Sequence, residues 1–362
     1  MTWILGSEAV AEVVATVGLD AVLDELIATL ADVFDSHDPG QLTTFDRSGF
    51  HYTKPELGLI EWMPAMDLGR RVSIKTVGYH PSNPVQRGTP SILASIALHD
   101  TASGSLLALC EATLLTALRT GAASALVSDI LAIPTASTLG VIGCGAQAVT
   151  QVHAISRVRP IDRVVAFDVN HDVARSLASR LPIADHIDIE IVDAGGLARL
   201  VGESDIVCTA TTVGIGDPPV LPDVSHRPWL HINAVGADFP GKRELTTSLL
   251  RRATVIPDVV DQCLKEGECQ ELDVSDLGPD LVALVKGRAR YGSLRDKLTV
   301  YDSTGWALQD LVAAELLLAH AQRLGAGVEI DLQPTPRDPY DPYEYVRQRT
   351  TKRLLPQGAG PA

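Results

Sequence analysis

The sequence predicts an α/β protein of two domains, a doubly wound parallel sheet preceded and completed by an α+β domain, and three observations predict it. Apolar runs at 138–142, 163–168, 187–192, 205–209, 230–234 and 253–256 alternate with helical or turn segments, the order of a parallel sheet whose crossovers are helices. The first run enters a glycine turn, Gly143-Cys144-Gly145, that opens a helix. It begins only after a long N-terminal stretch, so the ends of the chain must build something other than this sheet.

Residues 7–34 place Val10, Val13, Val14, Val22, Leu23, Leu26 and Leu30 at spacings near three and four, the period of helices with one buried face. The step Gly18-Leu19-Asp20 separates two such helices. Residues 38–48 are polar and turn-rich, and 57–63, 71–77 and 92–100 read as strands between prolines and glycines. Residues 114–131 form an Ala- and Leu-rich helix that Pro134 stops, and this helix bridges the domains. A second long helix, 306–324, follows the last of the six strands, ends near Gly325 and Gly327, and returns the chain to the N-terminal domain. The division is therefore 1–125, completed by about 306–335, for the α+β domain and 126–305 for the sheet domain. Residues 336–362, with Pro336, Pro339 and Pro342 ahead of Arg347, Arg349, Lys352 and Arg353, read as an extended or disordered tail.

At 362 residues the chain is long enough for two cores. Its net charge of −15 opposes nonspecific attraction to nucleic-acid phosphates or anionic lipid, so neither partner is expected. The cysteines, Cys110, Cys144, Cys208, Cys263 and Cys269, lack CxxC spacing, which argues against a disulfide framework and a zinc site and fits a reducing cytosol. The N-terminal segment carries Glu8, Glu12, Asp20 and Asp24 where a signal peptide needs a basic and then an apolar region. No apolar run reaches the roughly 18 residues of a membrane span, and a cytoplasmic location without metal is expected.

In Gly143-x-Gly145-x-x-Ala148 the first glycine permits a tight turn, the second lets the backbone approach a pyrophosphate, and the small third residue lets the helix pack closely. Amides at the helix N-terminus face the negative charge. A purely structural turn gives the same glycines, but here the turn follows a strand, opens a helix, and precedes Asp168 by about 20 residues. A carboxylate at that point accepts both hydroxyls of an adenosine ribose and repels a 2′-phosphate, which reads as a Rossmann domain for NAD rather than NADP. Asp168 also suits a helix N-cap before His171-Asp172. Thr209-Ala210-Thr211 closes a strand where such a sheet leaves room for the dinucleotide, or is simply a Thr-rich strand end.

Several segments gain meaning together: Ile60-Glu61-Trp62-Met63-Pro64, Ile74-Lys75-Thr76, Asn83-Pro84, Gly88-Thr89-Pro90, Leu118-Arg119-Thr120-Gly121, the glycine turn, His231-Ile232-Asn233-Ala234-Val235-Gly236-Ala237-Asp238, and Asp302-Ser303-Thr304-Gly305. This set, in order and spacing over residues 3–332, resembles the ornithine cyclodeaminase/mu-crystallin family, and within it the bacterial lysine cyclodeaminases. Only the proline-rich tail lies outside the resemblance.

The resemblance implies a homodimer, an N-terminal substrate and dimerisation domain, and NAD recycled within one turnover. It implies that Arg47, Lys75 and Arg119 bind the substrate α-carboxylate, which suits guanidinium and ammonium donors; each also reads as one half of an ordinary ion pair. Glu61 matches an acidic residue near the substrate amines and Asp238 a catalytic carboxylate, with Lys75 beside them. As plain structure, Glu61 is an outward-facing strand residue and Asp238 a helix cap. Thr89, Thr120, Ala146, Gln147, Thr209, Val235 and Ser303, with Gly143, Gly145 and Asp168, fall where the family contacts the dinucleotide. Asp302 fits either a supporting carboxylate or a helix cap, Glu268 matches a recurrent acidic position without a role, and Cys144 is a small residue that fits the turn.

The implied reaction is redox-neutral: hydride leaves Cα of L-lysine or L-ornithine, the side-chain amine closes the ring, ammonia leaves, and the hydride returns, giving L-pipecolate or L-proline. Asp238 serves proton transfer and Glu61 orients the terminal amine. Two alternatives stay open, an amino-acid dehydrogenase or ketimine reductase with an open redox cycle, and a noncatalytic NAD- or small-ligand-binding protein. Choosing lysine over ornithine turns on one methylene, worth only roughly 1–3 kcal/mol.

Overall fold

The computed structural model describes residues 1–344 together with Val346 and Arg347. Its strands form two sheets. The first contains β1 (Thr2–Leu5), β2 (Leu42–Thr44), β3 (Ser48–Tyr52), β4 (Gly58–Asp67), β5 (Arg71–Tyr79), β6 (Ile92–Asp100), β7 (Leu106–Glu111) and, from the far end of the chain, β15 (Val328–Ile330). Its order is β15-β1-β7-β6-β5-β4-β2, with β3 also on β4. All pairings are antiparallel except β1 with β7.

The second sheet holds β8 (Thr138–Ile142), β9 (Arg163–Phe167), β10 (Asp188–Ile191), β11 (Ile206–Thr209), β12 (His231–Ala234), β13 (Thr254–Pro257) and β14 (Thr299–Asp302). They run in the order β10-β9-β8-β11-β12-β14-β13, every neighbouring pair parallel, which is the expected doubly wound sheet. Burial explains part of the composition: β8 and β11, buried along their whole length, read as near-continuous apolar runs, whereas β12 and β14, equally buried, carry the polar residues His231, Asn233 and Asp302 inside the fold.

Helices join the two halves. Ser7–Val17 and Leu19–Asp35 break at Gly18, as the sequence suggests, and bury Val10, Val13, Leu23, Leu26, Leu30 and Phe34. Thr113–Leu131 and Ala307–Leu324 pack together between the sheets, and Phe34 stacks on Trp306 at 5.5 Å between ring centroids. One apolar core takes Leu118 and Leu126 from the first of these helices, Leu308 and Leu311 from the second, Ile96 from the first sheet, and Tyr301 from the second. Each such leucine contributes on the order of 1.5–3 kcal/mol through burial. The domains are therefore welded rather than hinged on a linker.

Some expectations change. Residues 38–48, read as turn, contain β2, and β1, β3, β7, β14 and β15 escape the sequence reading because each is short or lacks a turn signal on one side. Helix Thr113–Leu131 is long and apolar enough to cross a membrane by composition, against the expectation that no segment is; 83% of its apolar window is buried inside the fold. In the tail, residues 338–344 make local turns, Asp338 N–H donating to Glu344 Oε2 at 2.9 Å; residue 345 and residues 348–362 lie outside the described residues.

Candidate active site

The C-terminal ends of β8, β11, β12 and β14 meet the inward face of β4 and β5 across a cleft of about 1270 Å3 that is partly open to solvent. This is where an open parallel sheet binds ligands, outside the carboxyl ends of its strands.

On the parallel-sheet side, Gly143 has φ +88, and a Cβ there would lie 2.6 Å from the carbonyl oxygen of Ala210, so the turn requires glycine. Gly145 is the N-cap of helix Ala146–Val158 and no side chain caps it, which leaves the first amides free for an anion. Gly145, Ala146, Gln147, Thr120, Val235 and Ser303 all line the cleft. Gln147 Oε1 and Ser303 Oγ are buried without a hydrogen-bond partner, as expected where a polar ligand supplies the missing contacts.

Asp168 ends just past β9, half-buried, with Oδ2 accepting the Cys144 N–H at 2.7 Å and Oδ1 the Asn170 N–H at 2.8 Å. The cap of helix His171–Arg175 is Asn170, so Asp168 is not a helix cap and instead fixes the glycine turn. Two residues placed at the dinucleotide by resemblance stand elsewhere. Thr209 is fully buried, its hydroxyl donating to Glu244 Oε2 at 2.6 Å. Thr89 is exposed beside Pro90, and only the proline lines the cleft.

The facing wall carries charge. Strand alternation turns Glu61 and Met63 on β4 and Lys75 and Val77 on β5 inward, and Glu61 is 6% exposed, so it is not a surface residue. Lys75 Nζ is held 2.9–3.0 Å from both oxygens of Asp310, and Arg119 Nε is 3.0 Å from Asp310 Oδ1, while Arg119 Nη1 donates to Gln309 at 3.0 Å. Burial, then Arg119, pushes Lys75 down to about 7 although Asp310 opposes the shift. Gly305, φ +89, lies against Arg119: a Cβ there would be 2.7 Å from Nη1.

Arg47 faces a different set of groups. Its Nη2 donates to the carbonyls of Thr304 and Gly305, its Nε is 2.8 Å from Glu266 Oε1, and its Nη1 is 3.8 Å from Glu61 Oε2. It lines the same cleft as Lys75 and Arg119, the residues resemblance joins it with, but its guanidinium is set among carboxylates rather than against Asp310. Burial raises Glu61, and raises Glu266 to about 7.

Asp238 lies in the loop after β12, on the cleft wall, and no helix follows for it to cap. Lys242 Nζ stands 3.4 Å from Asp238 Oδ1 and 4.4 Å from the Tyr79 ring centroid. Burial works against the Lys242 charge, yet Asp238 and Tyr79 together leave its pKa raised.

Beneath this loop lies a scaffold that sequence reasoning missed. Glu244, fully buried, accepts from Thr209 Oγ1, Thr211 N and Oγ1, and Gly236 N at 2.6–2.8 Å, tying the ends of β11 and β12 together. Glu268, whose role resemblance left blank, accepts the N–H of Glu244 and of Leu245 at 2.8 and 3.0 Å. Asp302 is buried and accepts the Cys269 N–H at 3.0 Å, tying the end of β14 to the short 3-10 turn Glu268–Glu271; the helix that follows β14 has Trp306, not Asp302, as its N-cap. Burial raises Asp302 to about 7 and Glu268 well above the carboxylate range. All five cysteines are buried and free, and burial drives Cys144 up to about 12, which removes it as a reactive thiol. Among the described residues no cluster of His, Cys, Asp and Glu could hold a metal.

The missed residues carry one weak signal each. Asp310 and Gln309 are polar residues directly before the apolar run 311–314, and Glu244 and Glu266 stand near glycine loops. Nothing local names their partners.

Fold and cleft together define a Rossmann-type dinucleotide protein with a second, charge-lined domain over the ends of its parallel strands. The chain belongs to the ornithine cyclodeaminase/mu-crystallin family, whose sequence model matches residues 7–323. It is 37% identical to the L-lysine cyclodeaminase of Streptomyces rapamycinicus, covering 94% of this chain and 99% of that protein. To an ornithine cyclodeaminase of Agrobacterium tumefaciens it is 32% identical, over 96% and 95%. A solved lysine cyclodeaminase, described as recognising L-lysine, L-ornithine and L-2,4-diaminobutyric acid, superposes with a TM-score of 0.90 at 43% identity, over 95% of this chain and 99% of that one. An archaeal alanine dehydrogenase dimer with bound NAD superposes with a TM-score of 0.79 at 29% identity, over 92% and 99%.

Proposed function

We propose that this protein is an NAD-dependent cyclodeaminase that converts L-lysine to L-pipecolate, or L-ornithine to L-proline, releasing ammonia with no net redox change. The observation that carries the reading is the polarity of the cleft. Lys75 and Arg119, joined through Asp310, lie in one cationic cluster, Glu61 and Asp238 supply carboxylates, Glu266 adds a third in contact with the cleft residue Arg47, and the uncapped helix at Gly145 lines the same space. A diamino acid has the complementary pattern, a carboxylate at one end and an ammonium at the other. The family relatives named above support lysine and ornithine as substrates and NAD as cofactor.

NAD⁺ held in this cleft would supply the hydride acceptor, and in reduced form the hydride donor, of a redox-neutral cyclisation. Gly143, Gly145, Ala146 and Gln147 would hold its pyrophosphate, Asp168 its adenosine ribose, and Thr120, Val235 and Ser303 its nicotinamide side. Lys75 and Arg119 fix the carboxylate so that Cα faces that side of the cleft. Asp238, anchored by Lys242, takes and returns protons at the substrate amine, and Glu61 holds the terminal amine for ring closure.

A homodimer belongs to the same reading. The outward face of the first sheet carries Phe50, Ile60, Trp62, Ile74, Leu93 and Leu109, all exposed, with Phe50 against Trp62 at 5.7 Å. A contiguous apolar sheet face of this kind suits a second copy. The buried free thiols suit a cytoplasmic location.

Pure protein incubated with NAD⁺ and, separately, L-lysine, L-ornithine and L-2,4-diaminobutyrate tests the proposal by ammonia release and cyclic product. Cyclic product without accumulation of NADH is expected. Net NADH would show an open redox cycle, and absence of product from all three substrates would end the reading.

A further inference from the structure

The guanidinium of Arg47 is turned toward protein carbonyls and carboxylates, an arrangement at odds with binding a substrate carboxylate. Every nitrogen of its guanidinium faces protein: Nη2 the carbonyls of Thr304 and Gly305, Nε the carboxylate of Glu266, Nη1 that of Glu61. Its carboxylate partners are poorly satisfied in return. Glu266 Oε1 and Arg47 Nε are 2.8 Å apart yet not aligned for a hydrogen bond, and both atoms are buried without another partner. Glu61 accepts no hydrogen bond among the described residues; its nearest basic groups are the Arg47 guanidinium at 3.8 Å and the His51 ring at 3.6 Å, beyond hydrogen-bond reach. Two buried carboxylates that face one planar cation without aligned donors form a weak pair, because desolvation is large and little geometry offsets it.

A compact ammonium, with three donors it can rotate, would satisfy both carboxylates better than the fixed fork of a guanidinium does. We infer that Arg47 is an exchangeable counter-ion: it fills, between Glu61 and Glu266, the place of a diamino acid's distal ammonium, and an incoming ammonium frees it for the α-carboxylate. Gly305 makes the transfer short, since its carbonyl accepts from Arg47 while its Cα lies against the Arg119 guanidinium. Arg47 itself sits in the short link between β2 and β3, next to Asp46, which pairs with Lys265.

The exchange gives the enzyme a test for its substrate. An amino acid lacking a second ammonium leaves Arg47 on the carboxylates and meets an incomplete carboxylate clamp; a diamino acid completes both ends at once. Burial holds Glu266 near 7 even with Arg47 in place, which fits an acid whose resident cation is a partial substitute.

The inference rests on the cyclodeaminase reading, and calorimetry on NAD-loaded protein separates the two. The probes are L-lysine and L-norleucine, which share a carbon skeleton and differ only in the distal ammonium. Wild type should prefer L-lysine by about a hundredfold or more. In Glu266→Gln, L-lysine should weaken by about tenfold or more while L-norleucine tightens by about tenfold, because Arg47 is released to the carboxylate. Opposite shifts are the signature; a general loosening of the cleft weakens both ligands. Glu61→Gln should give the same pair of shifts and carries the test if Glu266→Gln does not fold. L-norleucine unchanged or weakened in the folded variants overturns the exchange. Ammonia release from L-lysine by wild type is measured alongside: opposite shifts without ammonia from any diamino acid would keep the exchange and remove the cyclodeaminase, and ammonia without tightening of L-norleucine would do the reverse.

Discussion

Asp310 is the one anion shared by Lys75 and Arg119, and replacing it with asparagine is the sharpest test of the carboxylate clamp. It is 1% exposed and lies 2.9–3.0 Å from Lys75 Nζ and 3.0 Å from Arg119 Nε. Lys75 stands at about 7, lowered by burial and by Arg119 and Arg47, and raised by Asp310 through charge and hydrogen bond. Removing an opposite charge at that distance lowers a pKa by about 1–3 units. Lys75 would then be neutral at pH 7, and the loss of one charged hydrogen bond to a carboxylate weakens binding by about 10- to 150-fold. Hexanoate is a suitable probe because it has a carboxylate and no amine to titrate. Its competitive inhibition constant should rise above about pH 7 in wild type, as Lys75 loses its proton, and the rise should begin 1–3 units lower in Asp310→Asn. The buried cations left without a partner should also cost about 3–5 kcal/mol of stability, read as a lowered melting temperature. A pH profile that falls by the same factor everywhere, or whose limb stays near 7 in the folded variant, refutes the reasoning.

Three further outcomes are expected. Asp168→Ala removes both the ribose acceptor and the contact to the Cys144 N–H, so NAD affinity should drop by about tenfold or more and discrimination against NADP should narrow in a fluorescence titration; continued exclusion of NADP would count against the role given to Asp168. Gly305→Ala forces φ +89 on an L-residue and drives its Cβ into Arg119, so we expect a stability loss of about 1–3 kcal/mol in thermal melts and a raised KM. Trp62→Glu puts a charge into the outward apolar sheet face, and analytical ultracentrifugation should show the variant as monomer and wild type as dimer.

The parallel sheet was legible through strands such as β8 and β11, which are buried on both faces and announce themselves as apolar runs ended by a turn, whereas β14, equally buried but short and polar at both ends, does not. The glycine turn and Asp168 were legible because their spacing is set by one strand, one helix and the next strand. What could not be read is long-range. Lys75 and Asp310 are brought together by a helix that returns after the whole Rossmann domain, and Thr209 meets Glu244 across a loop whose path no local pattern fixes. Arg47 shows the limit of resemblance as well: its guanidinium lies on Glu266 and Glu61, and residue types in sequence do not encode that orientation. β1 and β15 are too short to signal by themselves and exist because they pair, Thr2 opposite Ile330, closing the sheet with both ends of the described chain.

The stretch from Ser303 to Asp310 runs unbroken from the end of β14 into the returning helix, and in those few residues it lines the cleft with Ser303, holds Arg47 through the Thr304 and Gly305 carbonyls, braces Arg119 with Gln309 and pairs Lys75 with Asp310. For anyone recombining this enzyme with its relatives, that segment is an indivisible part. A chimera that takes a foreign dinucleotide domain must change chains before Thr138 and return only beyond Asp310, since a junction placed at the apparent domain border near 305 would give the cofactor seat to one parent and the substrate clamp to the other.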